Sequence, residues 1–265
     1  MTLTLGISPC PNDTFAFHAL IHGLATELDV RTELHDVEAL NRMAEDGALD
    51  VVKVSVAAYG RLRERYALLR SGGAAGYGTG PIVVAAEARE VGGRVAVPGT
   101  RTTAALLLRQ LGSFETVAMP FDRIEAALLA DDVDCGVLIH EGRFTYEQRG
   151  LALLQDLGLV WEERTGLPVP LGAIAIRREL GPQTAAQVER AVRASVVYAR
   201  EHPAASGDYV RRHAQEMDAE VCRRHIELYV NDYTLDLDPA AVERLLHFGV
   251  EQSAFPPSSE PVFVT

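Results

Sequence analysis

Leu3-Thr4-Leu5-Gly6-Ile7-Ser8-Pro9-Cys10-Pro11-Asn12-Asp13-Thr14-Phe15 opens the chain with an apolar run, a stiff polar turn and the first residues of a helix. The β-prone run 3–7 predicts a strand, and the apolar spacing from Phe15 to Leu24 predicts a helix behind it. Pro9 and Pro11 fix φ and withdraw backbone donors, while Asn12 and Asp13 offer side-chain acceptors to cap that helix. Such a turn sets polar groups at the carboxyl end of a strand, where open α/β sheets take their ligands. An ordinary tight βα turn uses the same residue types, so the stretch gains meaning from others like it.

The alternation continues. Residues 30–35, 37–46 and 50–54 read as strand, helix and strand, completing βαβαβ in the first third. Val37, Leu40 and Met43 give that helix a face to bury, and Gly47 stops it. A helix over 57–65 follows Ser55. The Gly-rich run Ser71 to Pro81 precedes the β-branched residues Ile82 to Val84 instead of a helix, which excludes a dinucleotide fingerprint and suggests a flexible approach to a crossover. A second block, 94–97, 102–111, 115–119, 122–130 and 135–139, is again βαβαβ. The apolar run 171–177 returns the chain to the first block, and 183–201, 204–213, 219–233 and 239–252 have amphipathic helical spacing.

The expected fold class is therefore α/β and two-lobed. Residues 1–80 with 177–265 form lobe one and 81–176 form lobe two, with crossover strands near 81–86 and 171–177. Two βαβαβ lobes with C-terminal helices on the first resemble the plan of type II periplasmic binding proteins, whose interlobe cleft is the default ligand site.

Composition narrows the function classes. The chain has 265 residues, 48% hydrophobic and 23% charged, with no apolar run of membrane-spanning length. A net charge of −12 repels a phosphate backbone, so nucleic acid is not an expected partner. Cys10, Cys135 and Cys222 are odd in number and lack CxxC spacing, which argues against a disulfide framework and a zinc site. The N-terminus passes straight into a strand without a signal-peptide pattern, so the expected location is cytoplasmic.

Four strand ends carry candidate chemistry: Ser8 to Thr14, Lys53-Val54-Ser55, Pro98 to Thr103, and His140-Glu141-Gly142-Arg143. Thr102 and Thr103 suit a helix cap as well as an anionic ligand at a helix N-terminus. Lys53 and Ser55 share one strand face, where a lysine is either a solvated or salt-bridged strand residue or a ligand contact. His140 follows the apolar strand Cys135 to Ile139; an imidazole at such a tip either bonds a carbonyl or serves as a general base, with Glu141 and Arg143 orienting it or lying on the surface. His18 and His22 have i,i+4 spacing without a third ligand, and Glu162-Glu163 and Asp131-Asp132 read as solvated pairs.

Taken together, Ser8 to Phe15, Lys53 to Ser55, Thr102-Thr103, Ile139 to Tyr146 and Trp161-Glu162-Glu163-Arg164-Thr165-Gly166-Leu167-Pro168 resemble the 1,4-dihydroxy-6-naphthoate synthases of the futalosine route to menaquinone, in one consistent order over almost the full chain. The resemblance implies a lyase without metal or redox cofactor, acting on a small carboxylate substrate, cyclic de-hypoxanthine futalosine. It implies His140 as proton acceptor and Lys53, Val54, Ser55, Thr102 and Thr103 as substrate-binding, with Asn12 and Asp13 as further candidates from the first motif. The pattern departs at Gly142, where the family carries serine, so any hydroxyl contact there is missing. The rivals are the pathway's chorismate dehydratase and a small-anion-binding protein that needs no base.

Overall fold

Leu3, Leu5 and Ile7 point one way from the first strand and are almost wholly buried, and the first sheet grows around them. The computed structural model describes residues 2–214 and 218–264. In chain order the first segment is β1 (Leu3–Ile7), α1 (Pro11–Ile21), β2 (Val30–Leu34), α2 (Val37–Glu45), β3 (Val51–Ser55), α3 (Val56–Tyr59), β4 (Tyr66–Leu68) and β5 (Ala74–Gly76). Then come β6 (Ile82–Ala85), β7 (Arg94–Val97), α4 (Thr103–Leu108), β8 (Glu115–Ala118), α5 (Ile124–Leu129), β9 (Cys135–Leu138), α6 (Gly142–Thr145), β10 (Ala152–Asp156) and α7 (Leu157–Thr165). The chain finishes with β11 (Val169–Arg177), α8 (Gly181–Glu201), α9 (Gly207–His213), α10 (Ala219–Tyr229), α11 (Asp232–Leu235) and α12 (Pro239–Glu251).

Two compact units result, one of Met1–Ala75 with Pro170–Thr265 and one of Gly76–Val169. The first unit's sheet runs β2-β1-β3-β11-β4 with β5 on β11; β1, β2 and β3 are parallel and β11 is antiparallel to β3. Helix α8 covers this sheet, where Val188, Val192 and Val196 join Phe17, Leu20 and the β1 residues in one core. Ser195 ties α8 to α1, its hydroxyl donating to the Ala16 carbonyl at 2.7 Å and accepting from the Leu20 N–H at 3.0 Å. The second unit's sheet runs β10-β6-β9-β7-β8, with Ile82, Val84, Ala96, Ile124, Leu128 and Leu138 in its core.

Several expectations change. Asn12 and Asp13 do not cap α1: the helix begins at Pro11, its N-cap is Cys10, and no side chain caps it. The helix expected over 57–65 is only α3, because Gly60 is pressed against the Phe255 ring and the chain leaves in single turns. The helix expected over 219–233 breaks after Tyr229. There Asn231 turns its amide to the Ala75 carbonyl at 2.8 Å and forms a capping box with Thr234 that opens α11. The Gly-rich run is tightly packed. Gly72 has φ +83, and a Cβ there would meet Ile174 and Val192 at 2.7 Å. A Cβ on Gly80 would lie 2.2 Å from the Gly158 Cα.

Candidate active site

In the first unit, strand β3 brings Lys53 under the turn between β1 and α1. The residue is about 5% exposed, and its ammonium lies 2.7 Å from Asp13 Oδ1 and donates to the Gly72 carbonyl at 3.0 Å. Asp13 Oδ1 also accepts from Asn12 Nδ2 at 3.0 Å, while Oδ2 accepts from the Ser8 hydroxyl at 2.7 Å and the Ser8 N–H at 3.3 Å. A carboxylate has about four acceptor positions, and protein donors take all of them. Asp13 is thus committed to holding Lys53 and the Ser8 turn. Of the three hydrogens on the Lys53 ammonium, two are engaged; the third has no acceptor among the described residues. Lys53 is thus salt-bridged and buried instead of solvated.

Two residues along β3, Ser55 is gripped by Asn41 of α2. The Asn41 Oδ1 accepts from the Ser55 N–H at 2.9 Å, and its Nδ2 donates to the Ser55 hydroxyl at 3.1 Å. The Ser55 oxygen is therefore an acceptor to the protein, and its own hydrogen is left to donate. Val54, wholly buried between them, pairs with Ala173 of β11 and keeps this segment rigid. Sequence reasoning missed Asn41; the available signal was a polar residue beside Leu40 on the buried face of α2. It also missed His225 of α10, whose Nε2 lies 2.9 Å from Asn12 Oδ1.

In the second unit, Thr102 caps α4: its hydroxyl accepts from the Ala105 N–H at 3.1 Å and donates to the Gly99 carbonyl at 2.9 Å. Thr103 is the first helical residue and is buried. His140 lies two residues past β9, half-buried, with its ring tilted against Phe121 at 5.0 Å between centroids. Its φ is +51, the left-handed region that side chains other than Gly, Asn, Asp and His enter with difficulty.

Arg143, the second residue of α6, donates to the Gly80 carbonyl and to Asp156 Oδ2, each at 2.7 Å. Asp156 in turn caps α7 through Oδ1, 3.0 Å from the Leu159 N–H. Glu141 is buried, so neither residue is a surface charge. Glu162 is partly exposed and engaged by the backbone: its Oε1 accepts from the Gly78 N–H at 2.7 Å, and burial first, then the Asp156 charge, pushes its carboxyl above the ordinary range. Trp161, fully buried, donates to the Pro168 carbonyl at 3.2 Å, which gives the Trp161 to Pro168 motif a structural part.

Outside these networks, His18 and His22 stack at 4.6 Å beside Tyr209, and burial, then His22 and Arg212, lower the His18 pKa. No group of three or more His, Cys, Asp or Glu that could hold a metal gathers among the described residues. No helix among them is long and apolar enough to cross a membrane.

Solved structures define the class: the fold is that of the type II periplasmic binding proteins. The periplasmic aliphatic sulphonate binding protein of Escherichia coli matches with a TM-score of 0.67 at 13% identity, covering 97% of this chain and 89% of that one. A protein from Archaeoglobus fulgidus matches with a TM-score of 0.90 at 38% identity, covering 96% and 98%. Within that class the chain belongs to the menaquinone biosynthesis family, whose model matches residues 3–250. The 1,4-dihydroxy-6-naphthoate synthase of Thermus thermophilus is 48% identical over 99% of both chains, and that of Streptomyces coelicolor is 48% identical over 92% of both.

Proposed function

We infer that the chain is a carbon–carbon lyase of menaquinone biosynthesis that converts cyclic de-hypoxanthine futalosine to 1,4-dihydroxy-6-naphthoate and a dihydroxyacetone-type product. Two synthases 48% identical over nearly their whole length support the reaction. The observation that carries the chemistry is His140, an imidazole held at a left-handed φ of +51 beyond the end of a buried strand.

In this reading the His140 imidazole takes the proton next to the substrate ketone, and the C–H electron pair enters the enolate. The bond to the ribose-derived fragment then breaks in the retro-aldol sense: the fragment's hydroxyl gives up its proton as its carbonyl forms, and the bonding pair passes to the ring side. The protons removed return to the two ring oxygens as aromatisation of the second ring drives the step. The protein's work is to orient one C–H bond, stabilise enolate charge and keep water out. Lys53, Ser55, Thr102 and Thr103 hold the substrate's anionic and polar groups. Lys53 and Ser55 each keep a hydrogen to donate, and Thr102 and Thr103 bring backbone N–H groups at the start of α4. Asn12, Asp13 and Val54 complete the binding segment, Asp13 by setting the ammonium in place. Incubating the purified chain with cyclic de-hypoxanthine futalosine and separating the products by chromatography tests this reading. A fluorescent naphthoate peak that grows with time is expected, and its absence in an otherwise folded, substrate-saturated sample contradicts the reading.

A further inference from the structure

We propose that His225, on α10 and far in sequence from every motif above, is a positioning residue that sets the Asn12 amide and, through it, the Asp13–Lys53 pair. The inference rests on the reading that these residues hold substrate. Its geometry follows from which atoms can donate. Asp13 Oδ1 accepts from Lys53 at 2.7 Å, and a carboxylate only accepts; the Asn12 atom 3.0 Å from that oxygen must then be the amide nitrogen. The amide oxygen is left facing His225 Nε2 at 2.9 Å, and since that oxygen only accepts, Nε2 carries the proton.

The ring cannot easily swing away. It is about 1% exposed and lies against Tyr229, 4.7 Å between centroids, within the same helix. Its Nε2–H thus makes the opposite amide orientation unfavourable, because a flipped Asn12 would set an NH2 against an N–H and an oxygen against the carboxylate. One directed chain of donors therefore runs from His225 to Asn12 to Asp13, meeting Lys53 from the other side, and it ties α10 to the turn after β1. Removing the Nε2 donor lets Asn12 turn over, deprives Asp13 of one of its four donors and loosens the ammonium. A loosened binding group raises KM before it lowers kcat, with losses of up to about 100-fold for misplacement of this kind.

The test compares His225→Leu with His225→Gln, whose amide nitrogen can take the place of Nε2. The expected result is a KM raised about 10-fold or more in His225→Leu with a smaller change in kcat, and recovery to within about threefold in His225→Gln. Nitrogen NMR of the labelled wild-type protein should show the proton of this buried ring on Nε2. A wild-type KM in folded His225→Leu, equal damage in both variants, or a proton on Nδ1 overturns the inference. Lys53→Met separates it from the reading beneath: an unchanged KM there defeats the substrate-holding role, whereas a raised KM in Lys53→Met beside a normal one in His225→Leu defeats only the role of His225.

Discussion

Lys53, with about a twentieth of the residue's surface exposed, is a costly residue to bury, and it is tolerated because Asp13 and the Gly72 carbonyl replace the water around its ammonium. Breaking such a pair from one side leaves an uncompensated buried charge, at about 3–5 kcal/mol, whereas removing both charges together costs less. Lys53→Met and Asp13→Asn are therefore expected to destabilise strongly alone and much less than additively together, as read from urea unfolding of the four proteins of a double-mutant cycle. Additivity within about 0.5 kcal/mol would show that the two side chains are not coupled. The sequence exposed Lys53 as a polar residue in an apolar strand, but it could not reveal the partner. Asp13 lies 40 residues away, and its capping-type neighbours made a helix cap the cheaper reading.

At the scale of elements, the segment before β6 and the start of α7 approach each other closely. Gly80 and Gly158 leave no room for a methyl group: a Cβ on Gly158 would stand 2.6 Å from the Gly80 Cα, and α7 starts where Arg143 and Asp156 meet. Gly158→Ala is expected to destabilise the protein by about 1–3 kcal/mol, with a lowered thermal midpoint. Gly92→Ala, with nothing within 4 Å of the added carbon, should stay within about 0.5 kcal/mol of wild type. Equal midpoints for the two variants would contradict the packing described. None of this was legible in the glycines themselves, because a Gly-rich run reads as looseness until the chain that packs on it is known. Strands β4 and β10 were hidden for a related reason. The first has only three residues, set by its pairing with β11, and the second carries a bulge between Leu153 and Gln155 that disturbs its period.

At the scale of the whole molecule, the two alternating blocks were plain in the sequence because apolar runs at strand length and helical faces between them recur in the same order. The long α8 was legible from its spacing, and the structure adds that its valines complete the core under β1. The candidate site was legible as a proposal where the pattern placed one residue, as it placed His140 just past an apolar strand. It was hidden where a role is made by partners from distant elements, as with Asn41 on Ser55 and His225 on Asn12. The proposed chemistry depends on one imidazole, that of His140. The most direct measurement is turnover of cyclic de-hypoxanthine futalosine by His140→Asn, a change that keeps a residue at ease in the left-handed region and removes the base. The account predicts an unchanged thermal midpoint, substrate binding close to wild type and a kcat lowered about a hundredfold to ten-thousandfold. A folded His140→Asn protein that releases naphthoate at the wild-type rate would contradict it.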